Sequence, residues 1–210
     1  MEKFIIHGAQ PLRGTLTPSG NKNAVLPMMA ACLLTPEPVI LHNVPDILDV
    51  QTMIRLMQSL NVKIDVFNET TLKLDASDIH PADLDPALCR QIRASILLAG
   101  PLISRVGELH LPPPGGDVIG RRRVDTHILA FSALGVRTHF ADNHFHFEGN
   151  NMSGGDILLD EDSVTATENA IMACVLTKGK STIRNAASEP HIQELCHFLN
   201  LLGARIENIG

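Results

Sequence analysis

The chain has 210 residues, 44% of them apolar, enough for one large domain or two small ones around a sizeable core. With 7 Phe and neither Trp nor Tyr, that core must be aliphatic. A net charge of −6 excludes the broad basic face that general nucleic-acid binding needs.

At the N-terminus, Met1-Glu-Lys-Phe-Ile-Ile-His7 is too short and too polar for a signal sequence. Two strand-like runs follow one another within residues 1–21, Phe4-Ile-Ile-His7 and Gly14-Thr-Leu-Thr17. Next, Pro18-Ser-Gly-Asn-Lys-Asn-Ala-Val-Leu-Pro27 reads as a loop entering a helix, with Asn21 or Asn23 able to cap it and Lys22 at its mouth. The free N–H groups and partial positive charge of such a helix start suit a phosphate. Plain capping explains the same residues equally well. The longest apolar stretch, Ala24 to Leu34, is interrupted by Pro27 and falls short of the ~20 residues of a membrane span. A soluble protein without a membrane partner is expected.

From here the chain repeats itself. Cys32-Leu-Leu-Thr35 answers Cys174-Val-Leu-Thr177, Ile40-Leu-His-Asn43 answers Thr182-Ile-Arg-Asn185, and Leu60-Asn-Val-Lys-Ile64 answers Leu202-Gly-Ala-Arg-Ile206. All three matches share one offset of 142 positions, and Leu134-Gly-Val-Arg-Thr138 supplies a middle copy. Each copy reads as a helix, a strand (Pro38 to Asn43; Ser181 to Asn185) and a second, amphipathic helix. The apolar faces are Val50, Ile54, Met57 and Leu60, then Ile128, Phe131 and Leu134 behind a capping Asp125, then Ile192, Leu195, Cys196 and Leu199. A Gly or Asn ends each of these helices. Hairpins come next, Val62–Val66 with Thr71–Leu74 and Val136–Phe140 with Phe145–Phe147, turning at Asn68-Glu-Thr and Asp142-Asn143. The third copy has no return strand. Such an edge is avoided in natural domains, so the chain is expected to be the front of a longer protein whose remainder pairs with residues 1–21.

Between the first and last copies lies Pro112-Pro-Pro-Gly-Gly-Asp-Val-Ile-Gly-Arg-Arg-Arg-Val-Asp-Thr-His127. Three prolines stiffen the approach, Gly115 and Gly116 form a hinge, Asp117 follows, and Arg121, Arg122 and Arg123 cluster behind it. These are the parts of a lid closing over an anionic substrate; a surface loop with a solvated basic run is the alternative. Arg93 sits at the equivalent helix entrance of the second copy, while Asp160 to Asn169 brings hydroxyls and acids to that of the third. Equivalent entrances with different chemistry suggest copies arranged around one cleft. His127 either hydrogen-bonds a ligand or finishes a helix's first turn. His144 and His146 share a strand face with His139 opposite, but no carboxylate or Cys completes a set, so no metal is expected. Cys32, Cys89, Cys174 and Cys196 show neither a CxxC pair nor a zinc spacing and read as buried reduced thiols of a cytoplasmic protein.

Taken together, Ser19-Gly-Asn-Lys-Asn-Ala24, Ile92-Arg-Ala-Ser95, Pro114-Gly-Gly-Asp-Val-Ile-Gly120, Arg122 to His127, Ser163-Val164 and Ala187-Ser-Glu-Pro190 resemble the UDP-N-acetylglucosamine 1-carboxyvinyltransferases along essentially the whole chain. The resemblance implies an α/β fold, an inside-out α/β barrel domain of three βαβαββ repeats with the third truncated. Residues 22–210 then form most of the first domain, and residues 1–21 are strands of a second, C-terminal domain. It also implies transfer of the enolpyruvyl group of phosphoenolpyruvate to the 3′-hydroxyl of UDP-N-acetylglucosamine, in the cytoplasm and without a cofactor. Phosphate is released in this first committed step of peptidoglycan synthesis. On that likeness Lys22, Arg93 and Arg122 hold the donor's phosphate and carboxylate, and Asn23 contacts the sugar nucleotide. Arg123, Val124, Asp125, His127, Ser163 and Val164 join the substrate-binding set, the last four lining the uridine pocket.

The same resemblance implies that catalysis falls to Asp117, Lys22 and Arg122. Asp117 stands where the family more commonly has Cys, at the position that transfers a proton to the donor's methylene carbon. A carboxyl is far more acidic than a thiol, so desolvation beneath the closed lid has to raise it. The same exchange implies resistance to fosfomycin, the epoxide that alkylates the thiol. Glu161 in place of a frequent Lys, and Arg123 in place of a usual Pro, are smaller departures. A shikimate-type transferase and a non-catalytic nucleotide-sugar binding fragment are the alternatives.

Overall fold

The computed structural model describes residues 3–9, 11–80, 84–116 and 123–210. Three helical rods lie at the centre. The first is α1 (Lys22–Ala31) with its 3-10 extension Cys32–Leu34. The second is the 3-10 segment Arg93–Leu98 running into α4 (Ala99–Val106), and the third is α6 (Val164–Val175). They are buried on nearly all sides, as largely apolar helices must be when surrounded by protein. Ala24 to Ala31 are buried except Met28, Ser95 to Ile103 are buried throughout, and so are Ala166 to Ala173 of α6.

The first two rods run parallel. α1 packs on the Arg93–Leu98 turn, while its 3-10 extension packs on α4. At the far end the Arg105 guanidinium donates to the carbonyls of Leu33 (2.7 Å) and Thr35 (3.2 Å). Lys22 and Arg93 therefore open their rods at the same end.

Outside the rods lie amphipathic helices and small sheets. In the first unit, β1 (Val39–Leu41), α2 (Leu48–Ser59), β2 (Lys63–Asn68) and β3 (Thr71–Asp75) give the strand order β1-β3-β2. Both pairings are antiparallel, so β1 and β2 run the same way with α2 crossing between them. The short α3 (Pro86–Gln91) then precedes the second rod. The second unit repeats the pattern with β4 (Glu108–Leu111), α5 (Asp125–Ala133), β5 (Arg137–Ala141) and β6 (His144–Glu148), ordered β4-β6-β5. In the third unit, β7 (Asp156–Leu158) and β8 (Thr182–Arg184) pair in parallel across α6, and α7 (Pro190–Leu201) follows. This is the inside-out α/β arrangement that the resemblance implies, with helices inside and sheets outside.

Much local detail follows from side-chain chemistry. The helix ends expected at Asn or Gly are Asn61, Gly135 and Gly203, with φ of 68°, 89° and 104°, the left-handed C-terminal position. Asp142 and Asn143 take φ of 48° and 59° between β5 and β6, as a two-residue hairpin requires. Asn68 Oδ1 accepts from the Thr70 N–H at 2.9 Å in the other hairpin.

Residues 3–9 and 11–20 form no strand with the other described residues, and Phe4, Ile5, Ile6, Leu12 and Leu16 are exposed; a strand needs an edge to receive it, and the described residues offer these none. Two expectations are corrected. Asp125 does not cap α5: it is the helix's first residue, flanked by Val124, with no side-chain cap bond. On α2, Met53 and Leu56 are fully buried where Ile54 is only partly so, which rotates the apolar face from the one read off the sequence. After α7, residues 204–210 add no strand to β7 and β8. No helix among the described residues is long and apolar enough to cross a membrane.

Candidate active site

At the start of α1, Asn21 is the cap, its Oδ1 accepting from the Asn23 N–H at 2.8 Å. That leaves the Asn23 side chain exposed beside Lys22. The Lys22 ammonium meets the Asp49 carboxylate of α2 at 2.5 Å, both side chains partly solvated. Asp49 lies in the first turn of α2, where nothing in the sequence marks it as a partner of Lys22. Such a pair is worth under about 1 kcal/mol to stability, so its consequence is orientation of the ammonium.

Arg93 donates from Nη2 to the Arg123 carbonyl at 2.9 Å. Arg123 in turn reaches Asp125 (Nε to Oδ2, 2.8 Å) and Asp160 (Nη2 to Oδ2, 3.3 Å). Thr126 Oγ1 donates to Asp160 Oδ1 at 2.6 Å and also lies 3.3 Å from Glu161 Oε1. The Thr126 hydrogen bond and then the Arg123 charge hold the Asp160 carboxyl below the usual carboxylate range. Asp160 leads directly to Ser163, the N-cap of α6, whose Oγ accepts from the Ala166 N–H at 3.4 Å. Arg93, Arg123, Val124, Asp125, Ser163 and Val164 are thus gathered where the second and third rods begin. Because the first rod runs parallel to the second, Lys22 and Asn23 open at that same end.

The segment before Asp117 is tied to this end as well. The N–H groups of Gly115 and Gly116 donate to the carbonyls of Cys89 (3.0 Å) and Arg90 (3.3 Å). A Cβ on Gly115 would stand 1.8 Å from the Arg90 oxygen, and Gly116 has φ +93°. The pair is therefore required for close backbone approach at the base of the arm, which corrects its reading as a free hinge. Asp117, Arg121 and Arg122 lie outside the described residues.

His127 is 1% exposed and both its ring nitrogens are taken. Asn169 Oδ1 accepts from the Gly100 N–H at 2.7 Å, so Nδ2 is the amide's donor, and it gives one hydrogen to Ile96 O (2.9 Å) and the other to His127 Nδ1 (3.0 Å). His127 Nε2–H then donates to Thr165 Oγ1 at 3.2 Å. Burial first, and the nearby Arg93 charge second, push the imidazole down to about 3. The ring is neutral and fastens α5 to α6, with no nitrogen left for a ligand in this arrangement.

Glu168, on the same helix, is 2% exposed, and its Oε1 has no partner among the described residues. Burial, and then the negative charge of Glu189, raise it to about 8. Neither Asn169 nor Glu168 carries a sequence signal, because a polar residue inside an all-round buried helix breaks no periodicity.

A family model described as EPSP synthase (3-phosphoshikimate 1-carboxyvinyltransferase) matches residues 6–210. A protein of Bradyrhizobium diazoefficiens named UDP-N-acetylglucosamine 1-carboxyvinyltransferase is 53% identical over 208 residues, covering 99% of this chain and 48% of its own length. One of the same name from Treponema denticola is 50% identical over 210 residues, covering 100% of this chain and 49% of its own. The chain spans about half the length of the curated relatives it matches. Among solved structures, the enolpyruvyl transferase NikO from Streptomyces tendae superposes with a TM-score of 0.81 at 25% identity, covering 98% of this chain and 48% of that one. EPSP synthase from Acinetobacter baumannii shares the fold, with a TM-score of 0.60 at 14% identity, covering 83% of this chain and 44% of that one. With its buried rods, outer sheets and family match over nearly its whole length, the chain belongs to the EPSP synthase family.

Proposed function

We propose that this chain forms one wall of the cleft in an enzyme that moves the enolpyruvyl group of phosphoenolpyruvate to the 3′-hydroxyl of UDP-N-acetylglucosamine. Phosphate leaves by addition and elimination through a tetrahedral phospho-lactoyl intermediate. The observation that carries the reading is the gathering of Lys22, Asn23, Arg93 and Ser163 at one end of the buried rods. The two relatives named for this reaction support the choice of acceptor.

The donor carries several negative charges. Fixed ammonium and guanidinium groups lower the barrier when they stand where charge develops before the reaction begins. In this reading Lys22, Arg93 and Arg122 grip the donor, and Asp49 keeps the Lys22 ammonium aimed until the phosphate arrives. Asp117 passes the proton at the methylene carbon. Asn23 contacts the sugar nucleotide, and Arg123, Val124, Asp125, Ser163 and Val164 surround the uridine. His127 acts by holding α5 in place. The remaining half of the longer protein supplies the other wall and an edge for residues 1–21. The enzyme works in the cytoplasm, in peptidoglycan synthesis.

The test is phosphate release by the full-length protein. It is expected with phosphoenolpyruvate plus UDP-N-acetylglucosamine and not with shikimate 3-phosphate as acceptor. The reverse pattern makes the protein a shikimate-type transferase, and release with neither leaves only a binding role. For the inhibitor fosfomycin, no time-dependent adduct is expected on the native protein, whereas Asp117→Cys acquires one; mass spectrometry reads both. Covalent labelling at Asp117 itself would refute the assignment of that position.

A further inference from the structure

The outer face of the β4-β6-β5 sheet carries an arrangement that the candidate active site does not use. Across the ladder, His110 of β4 stands opposite His146 of β6, and His139 of β5 stands opposite His146 on its other side. Directly paired residues of antiparallel strands project to one face, so the three imidazoles form a single row. His144, two residues before His146, points to that face too. The intervening residues Leu109, Leu111 and Phe147 are buried, whereas His110 and His139 are exposed.

The spacing suits a shared ion. The His146 ring centre lies 4.4 Å from that of His110, 4.7 Å from that of His139 and 6.5 Å from that of His144. Two imidazoles on one ion, each with a metal–nitrogen bond of about 2 Å, have ring centres about 5 Å apart. No backbone movement is needed. As they stand the rings lie side by side, His139 and His146 within 8° of parallel, and among the described residues no group of three or more His, Cys, Asp or Glu is arranged to hold a metal ion. Binding requires the exposed His110 and His139 rings to turn toward His146 about their own side-chain bonds.

An independent observation concerns the ring protons. A nitrogen that faces a carbonyl oxygen must be the N–H donor. His146 Nε2–H donates to the Ala141 carbonyl at 3.1 Å, which leaves Nδ1 with its lone pair. His144 Nδ1–H donates to the Asp142 carbonyl at 2.8 Å and leaves Nε2 in the same state. A backbone acceptor on the far nitrogen is how ligating imidazoles are usually oriented. The neighbouring row on this face pairs Glu108 with Glu148, and Glu148 also holds Arg137 at 2.5 Å, so the guanidinium is neutralised beside the site. The hairpin histidines alone do not suggest a ligand set; the fold completes one by adding His110 from a distant strand.

We propose that this face binds one divalent transition-metal ion of the zinc, nickel or copper class through His146 Nδ1 together with His139 and His110. The proposal is independent of the enolpyruvyl reaction. Calorimetric titration of the full-length protein with Ni²⁺ near neutral pH is expected to show one site per chain. His146→Asn and His139→Asn each weaken it about tenfold or more, and the double variant loses it. Electron paramagnetic resonance of the Cu²⁺ form is expected to show coupling to at least two nitrogens, lost in the same variants. His139 is exposed and His146 only half-buried, so circular dichroism of the metal-free variants should match the parent, which separates lost ligation from lost fold. Absence of stoichiometric Ni²⁺ binding, or binding that survives the double substitution unchanged, overturns the proposal.

Discussion

Asn169→Ala is expected to destabilise the domain by about 3–5 kcal/mol, the largest effect of any single polar truncation described above. One buried amide serves three elements at once: it accepts from the Gly100 N–H and donates to Ile96 O and to His127 Nδ1. Removing it strands the buried Gly100 N–H and His127 Nδ1, while Ile96 O keeps the Ala99 N–H. Each orphan costs roughly 1–3 kcal/mol, because none can recover a water, and partial relaxation keeps the total below a simple sum. Since whole domains are stable by only about 5–15 kcal/mol, the variant should sit near the limit of folding. Urea unfolding at neutral pH measures it. A midpoint within experimental scatter of the parent would show that the amide does not bridge the rods.

Glu168→Gln is expected to change how stability depends on pH. The native carboxyl holds its proton up to about 8, against 4.5 in the unfolded chain. Between those values the unfolded state releases a proton that the native state keeps. The group's contribution is therefore fully present below pH 4.5 and lost as pH rises through 8. Linkage sets the loss at no more than about 5 kcal/mol. Gln keeps the shape of the neutral acid and does not titrate. The variant should match the parent at pH 5 and exceed it clearly at pH 9, read as unfolding free energy at the two pH values.

His127 works in the opposite direction. Its native value of about 3 lies below the ordinary 6.5, so its contribution is present above pH 6.5 and is lost as pH falls toward 3. The two windows overlap between 4.5 and 6.5, where the opposing slopes offset one another. A variant whose advantage grows toward acid pH would contradict the assignment of Glu168.

How much of this was legible beforehand depends on whether the controlling force is local. The face of α7 reads correctly from spacing alone: Ile192, Leu195, Cys196 and Leu199 are its buried residues. Helical period and burial are there the same information. The Asp142-Asn143 turn is likewise legible, because left-handed backbone selects those residue types. Residues 3–9 and 11–20 show the converse: a strand-like run in sequence does not state where its partner edge lies.

At the candidate site, the resemblance picks out Lys22, Arg93, Arg123 and Ser163, and the fold brings their ends of the rods together. It does not reveal Asp49, Asp160 or Asn169, whose partners lie far along the chain. Nor does it reveal the buried partners of the His127 ring. An aromatic base at a helix entrance looks the same in sequence whether it faces a ligand or a buried amide.

The central claim is that cations from successive units share one small anionic donor. Its most direct test is the structure of the full-length protein with phosphoenolpyruvate bound. The donor's phosphate and carboxylate are expected within hydrogen-bond reach of Lys22 Nζ, Arg93 and Arg122, with the Lys22 ammonium shared between Asp49 and the phosphate. A donor bound elsewhere, with those three side chains on separate faces, contradicts the account.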